Sequence, residues 1–186
     1  WIIGQVGGLY VDQHDHVWVY HTPRTVSTDE AGLEGALPGV KDEKGVPING
    51  LGQPRPWGPV ADCCKIAPSV LEFDADGKML RAWGGPSDPG FLGGKCKEDA
   101  GCIWPNGEHG IYVDHNDNVW IAGSSPAGRN IPWNTNKGGG DGFVLKFDRE
   151  GNFITQWGGF GNSDGQFNFP YGVAVDAKGS VFVVDS

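Results

Sequence analysis

The sequence predicts an all-β chain of repeated antiparallel hairpins, and three observations predict it. One phrase occurs three times, as GLYVDQHDHVWVY from Gly8, GIYVDHNDNVWIA from Gly110 and GVAVDAKGSVFVV from Gly172. A second occurs twice, as VLEFDADGKMLRAWGG from Val70 and VLKFDREGNFITQWGG from Val144. The two alternate along the chain, and each is a pair of alternating apolar runs around an Asp/Asn/Gly turn, the pattern of a β-hairpin. Third, the 32 Gly and 13 Pro punctuate short runs rich in Val, Ile, Phe and Trp, as many short strands joined by turns require.

Two successive hairpins make one four-stranded sheet, too thin to own a core, so successive sheets must bury faces against one another. That is the order expected of a β-propeller. The first blade is expected over 5–85, with an insertion within 21–69, and a cysteine-bearing loop follows over 86–106. A second blade spans 107–159 and the start of the next spans 167–186. Asp12 and Asp74 stand 62 positions apart against 34 for Asp114 and Asp148, which puts 28 extra residues in the first blade. Asp74 to Asp114 is 40 against 28 for Asp148 to Asp176, which puts 12 more between the blades. About two and a half blades leave two raw edges, so a fragment of a longer chain is expected, with a ring of several copies as the alternative.

Composition bounds the function. A 38% hydrophobic, 11% aromatic chain of 186 residues is globular rather than disordered. Net charge −9 and a pI near 4.8, without a basic stripe, argue against nucleic acid as a partner. No run of 18 apolar residues exists to span a membrane. The chain opens at Trp1 without an apolar leader, so a signal peptide is expected to have been removed or never included. Cys63, Cys64, Cys96 and Cys102 sit in Gly/Pro-rich stretches, where core packing is not expected and oxidation is geometrically easy. An oxidising, extracytoplasmic compartment follows, periplasmic or secreted. The neatest pairing joins Cys96 to Cys102 and Cys63 to Cys64, while a bridge between the two insertions and reduced cytosolic thiols both stay open. Metal binding by these cysteines is weaker, because no pair has the two-residue gap of a zinc ribbon.

The phrase FNFPYGVAVDAKGSVFVVDS, preceded by FVLKFDREGNFITQWGGFGNSDGQF, closely resembles the NHL repeat, with its P-x-G-V-A-V-D opening, V-D-S close and W-G link. The resemblance covers most of the chain outside the insertions and implies a six-bladed propeller. It is specific for fold and weak for function, because NHL propellers include binding platforms, sensor ectodomains and a few enzymes. In layout the chain is also similar to the peptidyl-α-hydroxyglycine α-amidating lyases, with GLYVDQHDHVWVYHTPR and NGEHGIYVD in the places of two site-bearing segments. That likeness implies zinc, allows calcium, makes His109 a zinc ligand and leaves Arg24 as the nearest candidate for the catalytic guanidinium. The chain departs from the family where Thr22 follows His21 in place of an Arg. The family's other zinc histidines and its catalytic Tyr would lie beyond Ser186.

Each residue also has a plainer reading. Five positions before the recurring Asp the repeats carry Gly7, His109 and Tyr171, so His109 is not a repeat consensus. Its plain role is a hydrogen bond to Glu108 or to backbone. His21 and Arg24 read as solvated loop residues where a strand enters the large insertion. Asp12, Asp114 and Asp176 recur identically and are expected to cap turns. His14, His16 and His115 occupy hairpin turns and are expected to be exposed. Trp83 and Trp157 close fourth strands and are expected in the core between blades. Asn116 to Asn118 lack the calcium-loop pattern, and Gly138 to Gly140 lack the Lys-Ser/Thr of a phosphate loop. A scaffold that binds a peptide, protein or small ligand at its insertion loops is therefore the leading expectation, and a zinc-dependent lyase the alternative.

Overall fold

Among the described residues of the computed structural model, five hairpins turn on an aspartate, and the same turn recurs in each. The structure describes residues 1–26, 66–85, 96, 100–105, 107–124, 142–159 and 161–186. In the first hairpin the Asp12 amide donates to the His16 carbonyl and the Asp15 amide to the Asp12 carbonyl. The same two bonds recur at Asp74, Asp114, Asp148 and Asp176. The residue three after each aspartate is left-handed: Asp15 and Asp117 at φ 61°, Gly77 at 80°, Gly151 at 79° and Gly179 at 86°. Aspartate suits the first position because its carboxylate accepts the next amides, as Asp12 Oδ1 does from His14 and His16 at 2.8 and 3.0 Å.

Among the described residues these turns connect ten strands. β1 (Gln5–Val11), β2 (Val17–Thr22), β3 (Val70–Phe73) and β4 (Met79–Trp83) form one antiparallel sheet in sequential order. β5 (Gly107–Val113), β6 (Val119–Ser124), β7 (Gly142–Phe147) and β8 (Phe153–Gly158) form a second with the same order. β9 (Gly172–Val175) and β10 (Val181–Val184) form a hairpin. A 3-10 turn at Pro23–Thr25 follows β2, with proline at the first helical position. The protein is all-β, and no described helix is long and apolar enough to cross a membrane.

Strand alternation sends neighbouring residues to opposite faces, and the faces stack. Trp18, Tyr20, Val70 and Trp83 of the first sheet pack against Ile111, Val113, Val119, Ile121, Leu145 and Phe147 of the second. The second sheet's other face, with Trp120 and Val144, meets Val173, Val175, Val181 and Val183 of the hairpin. Trp83 is buried in the first interface, its indole N–H donating to the Arg149 carbonyl at 3.2 Å. Trp157 lies in the second interface, 5.4 Å from Trp120 in an edge-to-face arrangement.

The first strands approach closely because each repeat opens with glycine. A Cβ on Gly110 would lie 2.6 Å from the Tyr171 carbonyl oxygen and 2.9 Å from the Gly172 Cα, so no other residue lets β5 lie this near the entry to β9. β1 lies against β5 as β5 lies against β9.

The cysteine connector departs from expectation. Cys96 and Cys102 form a disulfide with Cα atoms 5.1 Å apart, yet they are buried at 2% and 0% exposure inside the first interface. Their Gly/Pro-rich surroundings read as surface, but both lie in one buried cluster with Trp104, which stands between Tyr20 and Phe147 at 6.2 and 5.7 Å. Cys63 and Cys64 lie outside the described residues, as do all residues from 27 to 65.

Candidate functional site

His109 stands on a β-bulge. The register of β5 on β6 slips between Glu108 and Gly110, and that of β1 on β2 slips between Val6 and Gly8. The extra residues are His109 and Gly7, the same position of the repeat. A bulge turns its residue out of the alternating pattern and re-aims the side chain, here at the entry of the first strand. His109 Nε2 lies 3.0 Å from Ser124 Oγ, whose hydroxyl is buried on β6. The imidazole packs against the Tyr171 ring at 4.7 Å, and Tyr171 stacks on Phe169 at 6.4 Å. Burial lowers the His109 pKa below the ordinary histidine value, which favours the neutral ring. Among the described side chains the polar partner of His109 is Ser124, and the Glu108 side chain lies outside the described residues. Tyr171 remains 48% exposed, so a neutral imidazole and two aromatic rings line a wall that solvent reaches.

His21 is not a loop residue. It is fully buried, and both ring nitrogens are engaged: the Gly4 amide donates to Nδ1 at 3.1 Å and Nε2 donates to the Pro68 carbonyl at 2.8 Å. Burial lowers its pKa more than the Pro68 and Ala67 backbone raises it. The ring is a neutral pin between three distant segments, with no nitrogen left for catalysis. Asp185 stands at the matching position of the third repeat and does the same work, accepting the Asn168 and Phe169 amides at 2.9 and 2.6 Å. Arg24 lies in the 3-10 turn just after His21, and its side chain lies outside the described residues. The His21 ring, with both nitrogens engaged, is itself not free to act as a catalytic partner.

The aspartates serve the frame. Asp12 Oδ2 accepts the Trp18 indole N–H at 2.9 Å, and Asp114 Oδ2 accepts that of Trp120 at 2.8 Å. Burial alone would raise both carboxyl pKa values, but the indole and turn amides outweigh it and hold both below the usual range. His14 and His115 are exposed, whereas His16 is drawn into a charged cluster and is only partly exposed.

That cluster was not legible as a site. Glu72, on β3 opposite Trp18 and Arg81, is fully buried. Arg81 donates to its Oε2 at 2.8 Å, and Arg149, from the β7–β8 turn of the second sheet, donates to Oε1 through Nη2 and, at 3.1 Å, through Nε. Arg149 also reaches Asp12 and Asp117, each at 3.4 Å, and lies over the Trp18 ring. Desolvation would raise the Glu72 pKa, but the two guanidinium groups hold it low. Asp12, His16 and Glu72 offer ligand atoms within 4.8 Å of one another, the size of a divalent-cation site. The donor set does not fit an added cation, because the Arg149 guanidinium already lies among these atoms and supplies the positive charge. The sequence signal was a charge reversal at one repeat position, Glu72 in VLEF against Lys146 in VLKF. Lys146 instead sits over Trp120 at 4.7 Å.

For zinc at His109, the described residues provide one imidazole and no cluster of three ligands that includes it. A scan against protein-family models and a search of curated proteins each find no match.

Proposed function

We propose that the chain forms successive blades of an NHL-type β-propeller and acts as a binding scaffold whose ligand meets the entries of the first strands. The blade boundaries proposed are those read from the repeat, 5–85, 107–159 and a third unit from 167. Two exposed apolar faces support the propeller. Leu9 and Val11 are 63% and 52% exposed, whereas their repeat counterparts Ile111 and Val113, covered by the first sheet, are 7% and 4% exposed. Phe182 is 60% exposed where its counterparts Trp18 and Trp120 are buried. Each end of the stack thus presents half of the interface that joins the two sheets, ready for another sheet of the same kind. The Cys96–Cys102 bridge supports an oxidising, extracytoplasmic setting.

The observation that carries the functional reading is the bulge position. Turn aspartates, opening glycines and core residues repeat, while the bulge and its equivalent vary as Gly7, His109 and Tyr171. Variation on a repeated frame is how a scaffold makes a site, and a neutral imidazole beside an exposed tyrosine suits a small or peptidic ligand with a flat face and a hydrogen-bonding group. Fragment screening by NMR tests it. Perturbations centred on Phe169, Tyr171, His109 and Ser124 support the reading, and perturbations confined to other surfaces overturn it.

A second reading, a zinc-dependent amidating-lyase-like enzyme, is favoured by one observation: His109 sits on a bulge where burial favours the neutral ring, the form that binds metal. Elemental analysis decides it. Stoichiometric zinc that disappears in His109→Ala favours the enzyme, and metal-free protein or zinc indifferent to the change removes it.

A further inference from the structure

One imidazole nitrogen is asked to make two incompatible contacts. His16 Nδ1 lies 2.8 Å from Glu72 Oε1 and 2.5 Å from Arg149 Nη2, while Arg149 Nη2 also bonds Glu72 Oε1. A ring nitrogen carries either a lone pair or a proton. With the lone pair, Nδ1 accepts from Arg149, and the guanidinium bridges the imidazole and the carboxylate. With a proton, Nδ1–H donates to Glu72, and two cationic donors then face each other.

We propose that His16 is a pH-operated latch between the first two sheets: when neutral it holds Arg149 on Glu72, and when protonated it takes Glu72 itself and releases the guanidinium. The exchange changes what Glu72 connects. Arg149 belongs to the second sheet, whereas His16 and Arg81 both belong to the first. Glu72 therefore passes from a bridge between sheets to a carboxylate neutralised within its own sheet.

The surrounding charges allow both states. On the His16 turn, Asp12 Oδ2 lies 4.0 Å from Nδ1 and the His14 ring is 6.0 Å away. From β4, Arg81 holds the far oxygen of Glu72 at 2.8 Å and also reaches Glu150, beside Arg149, at 3.8 Å. From the β5–β6 turn, Asp117 lies 3.4 Å from Arg149 Nη1, and His14 Nε2 lies 3.1 Å from Asp117. A released Arg149 thus keeps a carboxylate partner at the more exposed side of the cluster. Histidine is the side chain that ordinarily changes charge between about pH 5 and 8.

The test follows the Arg149 Nε–H resonance of the full chain by arginine-edited NMR across that interval, with Arg149→Lys used for assignment. The expected result is a protected Arg149 signal at the alkaline end that loses protection by roughly tenfold on acidification. Its midpoint should coincide with that of the His16 ring signals. The transition should vanish in His16→Gln and survive in His14→Gln. Protection that stays constant, a midpoint distinct from that of His16, or a transition that persists in His16→Gln would overturn the latch. If His16→Gln does not fold, agreement or disagreement of the two midpoints in the wild-type chain decides the matter alone.

Discussion

Arg149 Nε donates to Glu72 Oε1 at 3.1 Å across the interface between the first two sheets, joining a turn of one to a fully buried carboxylate of the other. A buried charge tolerates this position only while its partners remain, and breaking such a pair typically costs about 3–5 kcal/mol. Glu72→Ala, which strands two guanidinium groups, is expected to destabilise by about that amount in urea unfolding. A Glu72→Ala, Arg149→Met double variant should recover part of the loss, because the orphaned charge goes with it. A double-variant loss equal to the sum of the Glu72→Ala and Arg149→Met losses would show that the pair is not coupled.

His21 makes stability depend on pH. Its folded-state pKa lies below the unfolded value of about 6.5, so above that pH the neutral ring makes its full contribution. As pH falls below about 6.5 the unfolded chain binds the proton first, and stability declines toward the folded-state pKa. His21→Gln, which can accept from Gly4 and donate to Pro68 without titrating, is expected to flatten the unfolding free energy between about pH 7 and 5 relative to wild type. A decline of equal size in both proteins would contradict this.

Asp114 works in the opposite sense. Its pKa is held low, so its stabilisation is present above the unfolded value of about 3.9 and is lost as pH falls through the lower folded value. Trp120→Phe removes the indole donor while keeping the ring, a substitution the third repeat already carries at Phe182. Because the bond is to a charged acceptor, the loss is expected to be about 1.5–3 kcal/mol at neutral pH, and thermal melts should show it shrinking in acid. A loss independent of pH would assign the effect to packing.

Reduction of Cys96–Cys102 opens a short loop, a change worth about 2–3 kcal/mol in the chain-entropy view. Because the bridge and Trp104 share one buried cluster two residues apart along the chain, its release should also expose that indole. Tryptophan emission is expected to shift to the red with added reductant in the wild type and to stay constant in a Trp104→Phe variant.

The frame was far more legible than the site, for physical reasons. Turn aspartates recur because every hairpin needs the same two amides capped, so repetition in sequence reports repetition in backbone. His21 gave no such signal, since its burial depends on Gly4 and Pro68, segments brought to it only by folding. Glu72 was hidden because an acidic residue in an alternating strand reads as the solvent face, and the cation that permits its burial comes 77 residues later. Cys96 and Cys102 were misread because glycine and proline around them suggest surface, whereas the bridge itself carries them into the interface. His109 was singled out because it broke the repeat, and the bulge explains why that position is free to vary.

The division between a constant frame and a variable bulge is tested most directly at Tyr171, which is half exposed and serves no core contact of the two sheets. The tightest fragment from the NMR screen would be titrated into wild type and Tyr171→Ala. Loss of the ring face is expected to weaken binding by roughly two- to tenfold, with the fold unchanged. Identical affinity in the two proteins would contradict a binding site at the entries of the first strands.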